Sequence, residues 1–343
     1  MPHDTPPKHI LAFVPNWLGD VVMCTPALRS VKRRYPACHL TAAGRAGCCA
    51  VLAGLPWIDA FLPLPERPGF LKTLALRAAL RDVRPDAALV FPHAFRTAWL
   101  AWLSGAPTRI GVDRGGRRLL LTDALPRYRE NGQPVPRYTA LEYLELAARI
   151  GAPPDGDGLE LTADPAEVAA VRALLDPARP VAGIAPGAAF GPSKRWLPER
   201  FAAAADRLHC EFGAQCVLMT GPGEEDTREA VLRAAATPLI DCSGGRPTLA
   251  RLKATIACTD VLIGNDSGPR HIAIAFQKPV ICIMGSTSPA YTESPWERGA
   301  VLRVDVDCGP CQRPHCTTDH RCMTGVTADR VVDAAAAYLT PMA

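Results

Sequence analysis

The chain has 343 residues, 48% of them hydrophobic and 21% charged, with a formal net charge of +4. That length exceeds one ordinary core and suits two domains, and the composition excludes a disordered chain. A charge so near balance argues against a dedicated nucleic-acid binder, whose basic patch is usually denser.

The N-terminus reads Met-Pro-His-Asp-Thr-Pro-Pro, without a basic n-region, and its first apolar run stops at Pro15, so no signal peptide is expected. No apolar stretch reaches the roughly 18–20 residues that span a bilayer. The longest candidate, Ile272–Gly285, is broken by Gln277 and Lys278 and reads as helix then strand. The expectation is a cytoplasmic protein whose membrane contact is peripheral.

Taken in chain order, the pattern alternates strand, turn and helix. His9–Val14 is a short apolar run closed by Pro15, and Val21–Arg34 follows with helical spacing. Leu40–Ala43 is the next strand, Leu71–Val83 an amphipathic helix, Ala87–Phe91 a buried strand, Thr97–Leu103 a helix and Arg109–Val112 a short strand. Tyr138–Ile150 is a helix ended by Gly151, and Ala152–Gly158 has the composition of a linker. The series then restarts with helix Pro165–Leu175, strand Val181–Ala185, a glycine loop over 187–194, helix Pro198–Phe212 and strand Cys216–Thr220. It continues through helix Glu224–Ala236, a short strand at Ile240–Asp241, helix Thr248–Ala257, strand Val261–Gly264, helix Gly268–Phe276 and strand Val280–Met284. Two α/β halves are expected, residues 1–158 and 159–343, each a parallel sheet covered by helices in the Rossmann manner, facing a central cleft. In such folds ligands meet the carboxyl ends of the strands, and the donor-side motifs below lie at such places.

Trp17-Leu18-Gly19-Asp20 follows the first strand and opens the first helix. Asp20 admits two readings: a carboxylate that takes a proton from an acceptor hydroxyl, or a helix N-cap. Residues 186–196 read Pro-Gly-Ala-Ala-Phe-Gly-Pro-Ser-Lys-Arg-Trp. Gly187 lets backbone approach a phosphate, and Lys194 and Arg195 could reach a diphosphate; the alternative is a solvated loop, and P-loop spacing is absent. After the strand ending at Thr220, Glu224 or Glu225 could hold ribose hydroxyls, or merely offset the dipole of the helix they begin.

Gly264-Asn265-Asp266-Ser267-Gly268-Pro269-Arg270-His271 is the narrowest pattern: a strand, then a helix N-terminus with backbone donors for phosphate. His271 lies four residues after Ser267, on the same side of the helix, where it could add a donor or a charge. Near the C-terminus Cys308, Cys311, Cys316 and Cys322 space as C-x2-C-x4-C-x5-C, which could hold zinc or an iron–sulfur cluster or be a compact reduced loop. From Arg109 to Arg137 seven arginines, among them Arg114, Arg117 and Arg118, outnumber the three acidic residues Asp113, Asp123 and Glu130. That excess is either a solvated face or a surface for an anionic partner.

Together these motifs resemble those of the ADP-heptose:lipopolysaccharide heptosyltransferases, glycosyltransferase family 9. The likeness runs in order from about residue 9 to about residue 335, and Phe-Gly-Pro-x-Lys-Arg-Trp is most like the heptosyltransferase II branch. It implies a GT-B fold, with the acceptor on the N-terminal domain, ADP-heptose on the C-terminal one, and the last helix able to return to the N-terminal domain. It implies direct, inverting transfer of heptose to the anionic heptosyl-Kdo2-lipid A inner core at the membrane surface. Asp20 becomes the base and Lys194 neutralises the donor phosphates. Gly187, Arg195, Glu224 or Glu225, Asp266, Ser267, Gly268 and His271 complete the donor site. Trp17, Arg114, Arg117 and Arg118 fall on the acceptor side. No cofactor is required, and nucleic acid is not a partner. One departure is Ala189, where relatives often carry Glu. The competing readings are another family member, of type I or III or with a different nucleotide sugar, and a metal or redox module built on the cysteines.

Overall fold

The structure, a computed structural model, describes residues 6–66, 70–243, 245 and 247–339. Two compact units divide the chain, Met1–Leu161 and Thr162–Ala343.

The first unit runs β1 (His9–Phe13), α1 (Leu18–Met23), α2 (Thr25–Arg34), β2 (His39–Gly44), α3 (Ala46–Leu52), β3 (Ala60–Pro63), α4 (Phe70–Asp82), β4 (Ala87–Val90), α5 (Phe95–Leu103), β5 (Thr108–Val112) and β6 (Asp123–Leu125). A short hairpin, β7 (Arg129–Glu130) with β8 (Gln133–Pro134), precedes α6 (Thr139–Arg149). Six parallel strands are ordered β3-β2-β1-β4-β5-β6. Residues 10–13 of β1 and all of β4 are buried, as expected where helices cover both faces of a parallel sheet.

The second unit runs α7 (Pro165–Arg172), β9 (Val181–Ala185), α8 (Pro198–Phe212), β10 (Gln215–Leu218), α9 (Glu225–Ala234), α10 (Leu249–Ala257), β11 (Val261–Asn265), α11 (Gly268–Ala275), β12 (Val280–Ile283), β13 (Gly299–Leu302), α12 (Arg321–Thr324) and α13 (Ala328–Ala336). Its five parallel strands are ordered β10-β9-β11-β12-β13. Both sheets are doubly wound, so chain order reverses direction beside the first strand of each: between β1 and β4, and between β9 and β11. Such a switch point opens a crevice beyond the strands' carboxyl ends.

Several elements differ from the sequence expectation. The helix expected over Val21–Arg34 is two helices, because Pro26 has no N–H to donate and its ring crowds the carbonyl four residues back. The segment at Ile240 is a single bridge to Val217, not a strand. In α13, Val331, Val332 and Ala335 enter the second unit's core with Phe201, Ile263 and Met323.

Candidate active site

In the second unit the switch point is occupied by the two motifs that the sequence singled out. β9 ends at Ala185 and β11 at Asn265, and the two strands pair directly, with Gly264 opposite Ala185. Asn265 ties them: its Nδ2 donates to the Pro186 carbonyl at 2.7 Å, and its Oδ1 accepts from the Trp196 amide at 3.0 Å. Trp196 is itself buried, edge-on to Phe201, with its indole N–H donating to the Val326 carbonyl at 3.0 Å. A large, fully satisfied aromatic of this kind fixes the backbone that carries Lys194 and Arg195.

Lys194 Nζ donates to Asp266 Oδ2 at 2.6 Å and to the Asp266 carbonyl at 3.0 Å, and lies 5.4 Å from the centre of the Phe190 ring. Asp266 Oδ1 accepts from Arg270 at 2.9 Å, and Thr287 donates to Oδ2 at 2.8 Å. Arg270 is pinned on its other edge by Glu297, at 2.7 and 2.6 Å. Burial alone would raise the Asp266 carboxyl, but the Lys194 and Arg270 cations outweigh it and hold the group well below the usual carboxylate range. Arg195 turns instead to the Ala188 carbonyl, 3.3 Å away.

Ser267 occupies the N-cap position of α11, yet its side chain makes no cap hydrogen bond, and Gly268 is the first helical residue. Ser267 Oγ and His271 Nδ1 are buried atoms without a hydrogen-bond partner. Burial, with Arg270 and Lys194 nearby, lowers the His271 imidazole to about 3. With no ligand bound it is therefore neutral near pH 7 and offers a hydrogen bond.

Gly187 follows β9, and a Cβ there would stand 2.1 Å from the Glu224 carboxylate. Glu224 accepts from the Gly221 amide at 2.8 Å, whereas Glu225 accepts from the Gly223 amide at 3.1 Å. Next to them a cavity of about 250 Å³ is lined by Met219, Thr220, Glu225, Arg228, Asp241 and Thr248. Glu297, Thr287 and this cavity's Asp241 escaped the sequence reading. They are contributed by separate loops, and only the fold collects them.

In the first unit Asp20 is the third residue of α1, and Trp17 holds the N-cap position, so Asp20 is not the cap. Trp17 is 56% exposed. Arg114 donates to His93 Nδ1 at 3.1 Å, and His93 Nε2 meets Glu142 at 2.5 Å. Arg114, Arg127 and Arg129 line one open pocket. Arg118 is exposed and pairs with Asp113 at 3.0 Å. Arg117 departs from its expected acceptor role: it is fully buried, and its guanidinium is held by the carbonyls of Val112 and Pro92. A second, smaller cavity, missed in the sequence, gathers Asn16, Arg45 and Arg96.

Cys308, Cys311, Cys316 and Cys322 all line a cavity of about 370 Å³. Every one of the thirteen cysteines is free. Among the described residues no three His, Cys, Asp or Glu side chains stand in an arrangement that could hold a metal ion.

Two doubly wound parallel sheets, with a buried Lys194–Asp266–Arg270 cluster at the switch point of the second, have the architecture of a two-domain group transferase. The chain belongs to glycosyltransferase family 9 (heptosyltransferase), whose family model matches residues 73–321. It is 28% identical to lipopolysaccharide heptosyltransferase 2 of Escherichia coli K12 over 94% of this chain and 96% of that protein. With the same enzyme of Salmonella typhimurium identity is 29%, over 86% and 88%. The solved structure of E. coli ADP-heptose lipopolysaccharide heptosyltransferase II superposes with a TM-score of 0.80 at 26% identity, covering 96% of this chain and 98% of that one. The fold is that of the GT-B heptosyltransferases, and the protein is a glycosyltransferase.

Proposed function

We propose that this protein is a heptosyltransferase of the second type, moving heptose from ADP-heptose to the heptosyl-Kdo2-lipid A inner core of lipopolysaccharide. The observation that carries the donor half is the pair of buried, unpartnered atoms Ser267 Oγ and His271 Nδ1 at the start of α11, beside Lys194. Leaving such groups unpaired is costly, and a diphosphate satisfies them.

The reaction needs three things. Asp20 takes the proton of the acceptor hydroxyl as that oxygen bonds to the anomeric carbon. The bond from that carbon to ADP breaks, with inversion. Lys194, together with the Gly268 amide and the Ser267 hydroxyl, receives the charge appearing on the diphosphate, so no metal is required. Glu224, held over Gly187, meets the ribose, with the adenosine in the adjoining 250 Å³ cavity; Arg195, Glu225 and Asp266 frame the donor. Trp17, Arg114 and Arg118 serve the anionic acceptor. That acceptor carries lipid, which places the work at the cytoplasmic face of the inner membrane; among the described residues no helix is long and apolar enough to cross one. Incubating the purified protein with ADP-heptose and heptosylated inner core tests the reading: ADP is released, and silence with every inner-core acceptor sinks it.

A structural zinc ion or iron–sulfur cluster on Cys308, Cys311, Cys316 and Cys322 is a second reading, favoured by the single cavity they share. The side chains would have to converge further to bind. Elemental analysis of protein purified without chelator decides it, with about one ion or cluster per chain expected and none refuting it.

A further inference from the structure

The cysteine-bearing segment has no place in the chemistry above, yet it grips the residue next to Lys194. Ser193 is 1% exposed, and the polar contacts below tie it to this segment and to Ser286. Its amide donates to the Pro314 carbonyl at 3.1 Å and its hydroxyl to the Arg313 carbonyl at 2.5 Å. The hydroxyl also lies 3.1 Å from Ser286 Oγ, while Gln312 donates from its amide to the Ser286 carbonyl at 2.8 Å. On the far side His320 Nε2 donates to the Ser193 carbonyl at 3.0 Å. The fit is close enough that a Cβ on Gly191 would come within 2.4 Å of the Pro314 carbonyl oxygen.

The two residues that close this grip, Gln312 and His320, have φ of 54° and 59°. Left-handed backbone at non-glycine residues is held only where the surroundings over-determine it. The segment is also anchored beyond the grip: Cys322 and Met323 enter the second unit's core. Ser193 and Lys194 share a short 3-10 turn, Pro192–Lys194, so displacing Ser193 displaces the root of the lysine.

We propose that the segment from Gln312 to His320 is a positioning element for Lys194, acting through Ser193, with His320 and the Arg313 and Pro314 carbonyls as its contacts. The proposal rests on the reading of Lys194 as the phosphate-binding cation. It differs from a merely structural role in what it affects: binding of the diphosphate end of the donor and not of the nucleoside end.

Calorimetry with ADP and with adenosine separates the two. Ser193→Ala and His320→Ala are expected to weaken ADP about tenfold and to leave adenosine unchanged, an effect of the size of one or two hydrogen bonds. His320→Gln, which keeps a donor, restores most of the loss and guards against a folding artefact at the buried Ser193. In a Lys194→Ala background the Ser193 and His320 effects disappear, since their route to the ligand is gone. Equal weakening of ADP and adenosine, or effects that persist without Lys194, overturns the proposal. If Lys194→Ala weakens ADP while the Ser193 and His320 variants do not, the positioning role alone fails. If Lys194→Ala leaves ADP binding intact, the phosphate role of Lys194 falls and the positioning role with it.

Discussion

Lys194 Nζ stands 2.6 Å from Asp266 Oδ2, so the cation assigned to the diphosphate is already held by a buried carboxylate. That carboxylate is the third member of a chain, Glu297–Arg270–Asp266–Lys194, in which the first three side chains are 7, 0 and 3% exposed and Lys194 is 13% exposed. Buried charges survive when paired and hydrogen-bonded. The pairing presents the Lys194 ammonium at a fixed point without asking the donor to order it.

Lys194→Ala is therefore expected to lower kcat/KM by about 10²–10³, the loss typical of one preorganised donor to a developing anion. Lys194→Arg should recover part of it, since the charge persists while the geometry changes. Steady-state ADP release measures both. A turnover within twofold of the parent in the alanine variant means the leaving group is neutralised elsewhere.

Glu297→Gln tests the inner end of the chain. Arg270 would keep Asp266 but lose its second carboxylate, leaving a buried cation partly uncompensated, at a cost of about 3 kcal/mol of stability. Chemical denaturation reads this directly. A loss below about 0.5 kcal/mol would show that Glu297 is dispensable to the network.

Asp20→Asn removes a base while keeping the size and polarity of the side chain. Trp17 and not Asp20 holds the N-cap position of α1, so the substitution removes no N-cap. Turnover is expected to fall by about 10²–10⁴ with ADP affinity unchanged. Retained turnover with an intact fold excludes Asp20 as the base.

The parts legible in the sequence were those written in local chemistry. β9, β11 and α8 were bounded to within a residue because apolar runs, Pro198 and Gly213 mark them. The strand–turn–helix junction that carries Asp266, Ser267 and His271 was legible because Asn265 ends β11 and Gly268-Pro269 opens α11. α3 was not, because Ala46–Leu52 has little periodicity to show, and β3 and β13 are four-residue strands. Arg117 looked like a surface arginine beside Arg118, and only the fold shows it turned inward. Glu297 lies 27 residues from Arg270, and no local pattern joins them. Ser193's grip by residues 313–320 is likewise a contact across more than a hundred residues.

His271 supplies a pH signature. Its imidazole is held neutral down to about 3 by burial, while in the unfolded chain it titrates near 6.5. Between those values the unfolded state carries the extra proton, so stability rises with pH through this window. The stabilisation is fully present above about 6.5 and is lost as pH falls, at up to about 1.4 kcal/mol per pH unit. Asp266, also depressed, adds its own loss only below about 4, where free carboxylates begin to protonate. The range from about 4.5 to 6.5 therefore separates His271 from Asp266, and the comparison with a variant separates it from the other histidines. His271→Gln cannot take up that proton in either state, so its stability should change less steeply across the range than the parent's. Denaturant midpoints at several pH values give the two slopes. Coincident slopes would mean that the imidazole is solvated in the folded protein, and that the donor site offers a titrating charge rather than a fixed, neutral hydrogen bond.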